Sequence, residues 1–412
     1  MAGNTLLTIS DITYETARVL VNNLVFCNQI TREYDDQFAV AGAKIGDTIN
    51  IRKPPRYTVR TGRTASIQNI TESYVPLTLQ YQEGVDLNWT SADQLLSIDD
   101  FSNRILKPAI APVANNIDLR GLALYKQIYN CLGTPGTTPN ALLTYLSAGA
   151  RLNNEAAPRD NDRSMILSSL SEAYIVDALK GLFQSAQQIE EQYEMGKMGV
   201  ASGFHWYMDQ NVATHTVGPL GGTPLINTNV ANTVPGVAFV EGATSMTTDG
   251  WTAAAASRLK QGDVFTVANV YALNPQNFQN TGELRQFVVT SDVSSSADGS
   301  ALVPVAPTLR TTGAFATINA MPANNAAITV LGAANTITPQ NMAFHRNAFA
   351  LGMADLEMPP SVRGSRVTDD ELGVSIRVLE GYSIIEDIHI VRMDVLYGYA
   401  TVYPELCCRV SS

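Results

Sequence analysis

The sequence predicts an α+β chain in which an antiparallel β-domain interrupts a mixed body. Three observations carry that expectation. Apolar residues at helical spacing are confined to a few stretches, near residues 10–24, 108–132 and 171–194. From Val217 to Gln340 the helical period fades and short β-like runs recur between Gly, Thr, Asn, Ser, Ala and Pro. The last forty residues return to strand character, with Val374 to Tyr403 rich in Ile and Val.

Taken in chain order, Ala17, Leu20, Val21 and Leu24 define a short amphipathic helix, with Ser10 or Asp11 available as its N-cap. Lys44–Arg52 and Val75–Tyr81 alternate like strands. The segment between them, Lys53–Ser73, is rich in Thr, Arg and Pro and reads as offering almost no large apolar side chain. It cannot offset its own ordering entropy and is expected to lie across another molecule, as an extended hairpin arm. The longest helical face follows, through Ile110, Val113, Ala114, Ile117, Gly121, Leu124 and Ile128, with Gly133 as a stop. Pro108 and Pro112 place its start near one of them, or a kink at Pro112. Ile175, Leu179, Leu182 and Ile189 mark another helix over Ser171–Glu194. The β-domain shows runs at Val237–Val240, Asp263–Val267, Gln286–Thr290 and Ala326–Leu331. Phe344–Leu351 is apolar, and Ile384, Ile385, Ile388, Ile390, Val391 and Val395 are candidates for the core of a closing sheet.

Composition narrows the function classes. In 412 residues, 27 Lys+Arg against 38 Asp+Glu give a net charge of −11, which argues against a protein that mainly grips nucleic acid. Charged residues make up only 16%, against an ordinary share of about a quarter. A surface so poor in charge suggests cover by partner subunits, or by uncharged Asn, Thr, Ser and Gln. The N-terminus has no basic region followed by an apolar core, so no secretory signal is read there. No run of about 18 apolar residues exists, and no membrane partner is expected. Cys27, Cys131, Cys407 and Cys408 lack CxxC spacing and read as buried or idle thiols.

Chemistry-bearing motifs fail one by one. His205, His215, His345 and His389 have no metal-ligand spacing and read as local hydrogen-bonding residues. Asp160-Asn161-Asp162 opens like a calcium loop but lacks Gly at the sixth position and Glu at the twelfth. Gly196-Lys197-Met198-Gly199 has Met198 where a phosphate loop needs Ser or Thr. Gly199–Gly203 misses the nucleophile-elbow spacing by one residue. Asp99-Asp100 and Asp369-Asp370-Glu371 are ordinary solvated or capping acids. No catalytic, cofactor or metal residue is assigned. The one sharp electrostatic feature is the arm: Arg52, Lys53, Arg56, Arg60 and Arg63 lie in a stretch without an acid from Ile51 to Thr71. It reads as a solvated loop, as a cationic arm docking on an acidic face of a neighbouring copy, or as a nucleic-acid contact. Tyr57 is the sole aromatic there, which leaves the last reading without a stacking platform.

The order of segments resembles the major capsid (coat) proteins of P-22-like tailed bacteriophages, which have the Hong Kong 97 (HK-97) fold. The resemblance rests on Ala114-Asn115-Asn116-Ile117-Asp118-Leu119 in the long helix, Leu259-Lys260-Gln261-Gly262-Asp263-Val264-Phe265 opening the insertion, and Tyr397-Gly398-Tyr399-Ala400-Thr401-Val402-Tyr403-Pro404-Glu405 near the end. It implies an N-arm (1–40), an E-loop (41–80), and a P-domain (81–150) with a spine helix at Pro108–Leu132. It further implies an A-domain in two parts (151–224 and 342–371), an inserted antiparallel β-barrel (225–341) and closing strands (372–412). The implied function is a structural subunit, not an enzyme, that forms pentamers and hexamers in an icosahedral head, first as a procapsid. Implied partners are a scaffolding protein during assembly, a portal at one vertex, and packaged double-stranded DNA held without sequence preference. The shell would be built in the host cytoplasm and end in the virion, with the arm cations at intersubunit contacts. A non-viral shell of the same fold is the alternative, and an enzyme with a β-domain the more distant one.

Overall fold

The computed structural model describes residues 9–32, 46–65, 67–70, 72–90, 102–179, 199–228, 239–360, 362–368, 374–383 and 388–412. The chain divides into two compact units: Met1–Lys53 with Ser73–Gly121 and Phe349–Val402, and Pro54–Glu72 with Leu122–Ala348 and Tyr403–Ser412.

In the first unit, helix α1 (Ile9–Asn23) buries Ile12, Thr16, Ala17, Val19 and Leu20. Its buried hydroxyls are satisfied locally, Thr13 and Thr16 donating to the carbonyls of Ile9 and Ile12 at 2.6 Å. Ser10 and Asp11 lie inside the first turn rather than capping it, and there the Asp11 carboxylate complements the positive end of the helix. Helix α2 (Lys107–Leu122) follows a π-turn at Ser102–Leu106 and keeps Pro112 inside it. An interior proline costs about 3 kcal/mol or more, so α2 depends on the burial of Ile110, Val113, Ala114 and Ile117.

The helix ends ten residues before the predicted Leu132. A 3₁₀ turn (Ala123–Gln127) follows, and Cys131–Leu132 then pair in parallel with Arg409–Val410. Tertiary strand pairing overrides the helical spacing of Leu124 and Ile128. Gly133 serves that strand instead of stopping a helix: its φ is +86°, and a Cβ there would stand 2.3 Å from the Ser411 carbonyl oxygen.

The strand Ile388–Thr401 organises the first unit. It pairs antiparallel with Tyr81–Thr90 over residues 388–397, with Ser375–Ser383 over residues 388–394 and with Phe349–Ala354 over residues 396–401; Arg363–Thr368 extends the sheet. Val391, Met393, Val395 and Tyr397 are buried, whereas Ile390 faces outward, contrary to its predicted core role. Ile384 and Ile385 lie outside the described residues. A two-stranded hairpin, Thr48–Lys53 with Ser73–Thr78, runs in register from Thr48↔Thr78 to Lys53↔Ser73.

The motif residues of α2 tie this unit together. Buried Asp118 accepts the N–H groups of Val25 (2.7 Å) and Cys27 (3.2 Å), fixing the chain where it leaves α1. Glu83 accepts from Asn116 (2.7 Å), Arg120 (2.5 Å) and the Tyr397 hydroxyl (2.6 Å). Burial pushes the Tyr397 hydroxyl far above the usual tyrosine range, so it remains a donor. Arg120 also lies over the Tyr81 ring, 4.3 Å from its centroid.

Among the described residues the second unit holds two large β-systems and a small two-stranded sheet, Ala256–Leu259 with Val293–Ser295. The first orders Cys131–Leu132, Cys407–Ser411, Ile337–His345, Arg163–Leu167, Phe204–Met208 and Val200–Ala201, with Thr214–Thr216 pairing Ile337–Pro339. Arg163–Leu167 and Cys407–Ser411 are buried on both faces. Helix α3 (Leu142–Asn154) lays Tyr145, Ala148 and Leu152 against Met165, Leu167, Phe204 and Trp206. The sequence reading contains no helix there, because Ala141 supplies no cap and Gly, Thr and Pro crowd its front. Helix α4 (Ser169–Leu179) lies in the predicted 171–194 span, of which residues 180–194 are outside the described residues.

The second β-system is an antiparallel barrel. Its strands run Ile328–Val330, Val264–Leu273, Asn280–Val289, Ala301–Leu309, Ala243–Trp251 and Gly222–Ile226. The ends meet through a Leu225↔Ala327 bridge, with Ile226 N–H to the Ala326 carbonyl at 2.9 Å and Asn325 N–H to the Ile226 carbonyl at 2.8 Å. Closure removes the exposed edges. Met246, Phe265, Val267, Phe287, Val289, Val303 and Leu309 fill the interior. Residues 337–341 belong to the other sheet, and the barrel's last strand ends at Val330. Phe239 and Val240 lie in a loop instead of the expected strand, and 237–238 are outside the described residues.

Candidate assembly surface

Pro54–Glu72 crosses between the two hairpin strands and carries most of the arm's charge. A clasp holds it in shape: Gln68 Oε1 accepts the Thr58 N–H (2.8 Å) and hydroxyl (3.1 Å), and Gln68 Nε2 donates to the Thr58 carbonyl (2.6 Å). The five cations are divided between the two units, Arg52 and Lys53 in the first and Arg56, Arg60 and Arg63 in the second. Arg52 (exposed) and Lys53 (half-buried) sit in the first strand. Arg56 is half-buried and donates to Glu405 at 2.9 Å, with its guanidinium 5.7 Å from the centre of the Phe315 ring. Arg60 is exposed and donates to the carbonyls of Gly62 and Thr64, while Arg63 is exposed.

Apolar side chains on this segment are the feature that sequence reasoning passed over. Val59 is 95% exposed, Ile67 93% and Ile70 71%, and Tyr57 is half in water. Their sequence signal was present, but single apolar residues among Thr and Arg do not show a period. Together with Arg60 and Arg63 they make a surface that offers dispersion contact and positive charge at once.

The other candidates hold structure. His215 Nε2 donates to buried Asp263 at 2.8 Å, and Asp263 also accepts the N–H groups of Gly218 (3.1 Å) and Lys260 (2.8 Å). Thus Asp263 of the Lys-Gln-Gly-Asp segment anchors the barrel's entry. His345 Nε2 meets Asp160 at 3.0 Å, which holds the Asp160 carboxyl below its ordinary range, and His205 bonds the Asn161 carbonyl at 2.9 Å. The His389 side chain, Asp99-Asp100, Asp369-Asp370-Glu371 and Gly196–Met198 lie outside the described residues, and Gly199 occupies a positive-φ turn. Among the described residues no group of three or more His, Cys, Asp or Glu is arranged to hold a metal ion, and no helix is long and apolar enough to cross a membrane. All four cysteines are free and buried.

Comparisons with known proteins bear on this arrangement. No curated protein sequence matches the chain. A solved structure from Mycobacterium phage Che8 is 13% identical with a TM-score of 0.45, covering 94% of this chain and 90% of that one. The capsid of Ralstonia phage GP4 is 6% identical with a TM-score of 0.41, covering 93% and 87%. The CUS-3 coat protein I-domain is 23% identical with a TM-score of 0.17, covering 29% of this chain and 96% of that one. The family model described as "P22 coat protein - gene protein 5" matches residues 20–409. The chain therefore belongs to the P22 coat protein family, has its HK-97-like capsid fold, and is a structural subunit of an icosahedral phage shell.

Proposed function

We propose that the arm is the intersubunit clamp of this shell, gripping a neighbouring copy within or between capsomers through Arg52, Lys53, Arg60 and Arg63 with Val59, Ile67 and Ile70. The observation that carries the reading is the exposure of Val59 and Ile67, above nine-tenths, on a segment already shaped by the Thr58–Gln68 clasp. Burying each such side chain is worth about 1.5–3 kcal/mol, modest singly and large when repeated around a ring of copies. Positive charge on the arm of a −11 chain steers that contact toward acidic surface. Arg56 is already engaged by Glu405 within the chain.

The partners implied by the family complete the proposal. A scaffolding protein directs assembly in the host cytoplasm, a portal occupies one vertex, and the shell encloses double-stranded DNA without gripping it. The acidic balance favours that last point, because tight basic binding would hinder packaging and release. The chain acts without catalysis. Reversing Arg60 and Arg63 to Glu tests the arm: particle yield by electron microscopy falls steeply while monomer unfolding stays within about 0.5 kcal/mol. Normal shells from that variant would remove the arm cations from the interface.

A further inference from the structure

Arg409, in the buried strand Cys407–Ser411, is 1% exposed. Its Nη1 reaches Gln340 Oε1 only at 3.5 Å, and its Nε and Nη2 have no hydrogen-bond partner on the protein. The Tyr125 ring, 5.6 Å from Cζ, gives a weak cation–π contact and no acceptor lone pair. Two unpaired nitrogens on a buried guanidinium are costly, and native interiors rarely keep such groups without a ligand.

Arg409 borders a small cavity of about 10 Å³, shared with Cys131, His215, Asp263, Gln340 and Ser411. That volume admits one water molecule and nothing larger. Acceptors are at hand. Gln340 Oε1 receives only long bonds, from Arg409 at 3.5 Å and the Ser411 hydroxyl at 3.3 Å, so it retains capacity. Ser411 Oγ has its other contact with Cys131 Sγ at 3.2 Å. Asp263 is filled by its own donors from His215, Gly218 and Lys260, yet its carboxylate forms part of the same wall.

We propose that this cavity is a binding site for a single water molecule, which accepts from Arg409 and donates to Gln340 Oε1 and Ser411 Oγ. A monatomic anion would satisfy Arg409 but face the Asp263 carboxylate across the same cavity, so the opposed charges select a neutral ligand. The water would complete a polar node joining the strands Ile337–His345 and Cys407–Ser411 beside the entry to the barrel.

The test is a density map of the full chain, free or assembled, at a resolution that resolves ordered water. One spherical peak is expected within about 2.7–3.2 Å of Arg409 Nε or Nη2. An empty cavity, or Arg409 paired with another protein group, overturns the site. Crystals grown in bromide add a second check: an anomalous bromide peak at the cavity overturns the neutral ligand. In an Arg409→Met variant the peak should vanish while other ordered waters stay; its persistence would show that Arg409 does not hold it. If the variant fails to fold, the wild-type maps still decide.

Discussion

Gly121 shows how tightly single residues are fitted in the first unit. A Cβ at this position would stand 2.5 Å from two ring carbons of Phe26, which is itself fully buried against Phe349 and Tyr399. Gly121→Ala should therefore cost about 1–3 kcal/mol through overpacking, read as a lower midpoint in urea with an unchanged slope. The thiols give a second residue-scale expectation. Burial pushes Cys27, Cys407 and Cys408 well above the usual thiol range, so little reactive thiolate forms near pH 8. The native chain should resist alkylation at that pH and react at all four cysteines once unfolded; prompt labelling of the native chain would contradict their burial. The motif residues were legible as a pattern, but their chemistry was not. Nothing in the spacing of Asn116, Asp118 and Tyr397 reveals that they meet Glu83 or the backbone after α1, since those contacts close over long sequence separations.

At the scale of elements, the barrel is held to α3 by a reciprocal pair of ion pairs. Arg151 on the helix meets Glu283 on the strand Asn280–Val289, and Arg285 on that strand meets Glu155 just past the helix end at 2.6 Å. Arg285 and Glu155 are both buried, with Arg285 also over the Tyr129 ring. Glu155→Ala would strand a buried guanidinium with both partners out of water and should cost about 3–5 kcal/mol, whereas Glu283→Ala removes an exposed carboxylate from buried Arg151 and should cost less. Equal losses in urea unfolding would contradict the difference in burial. The sequence showed the β-domain through its apolar runs at Val264 and Phe287, which became barrel strands. It hid Ala243–Trp251, where Thr and Ser dominate, and Ala301–Leu309, where Pro304 and Pro307 argue against an inner strand. A fragment ending at Leu331, before the strand that joins the other sheet, is the appropriate piece for testing independent folding by NMR.

For the whole molecule, the proposed arm contact and the low charge content point the same way, toward a surface covered by other copies. The clasp residue Gln68 separates shape from contact. Gln68→Ala removes three hydrogen bonds from an exposed segment, so it should slow shell formation, followed by light scattering, while barely moving the monomer's thermal midpoint. If the arm clamps one copy to the next, shell formation depends on it. Electron microscopy of the expressed full-length chain, with and without a scaffolding protein, tests it most directly. Closed particles with five- and six-fold capsomers are expected for the wild type, and their loss in the Arg60→Glu, Arg63→Glu variant. A wild-type chain that stays a compact monomer under every assembly condition would contradict it.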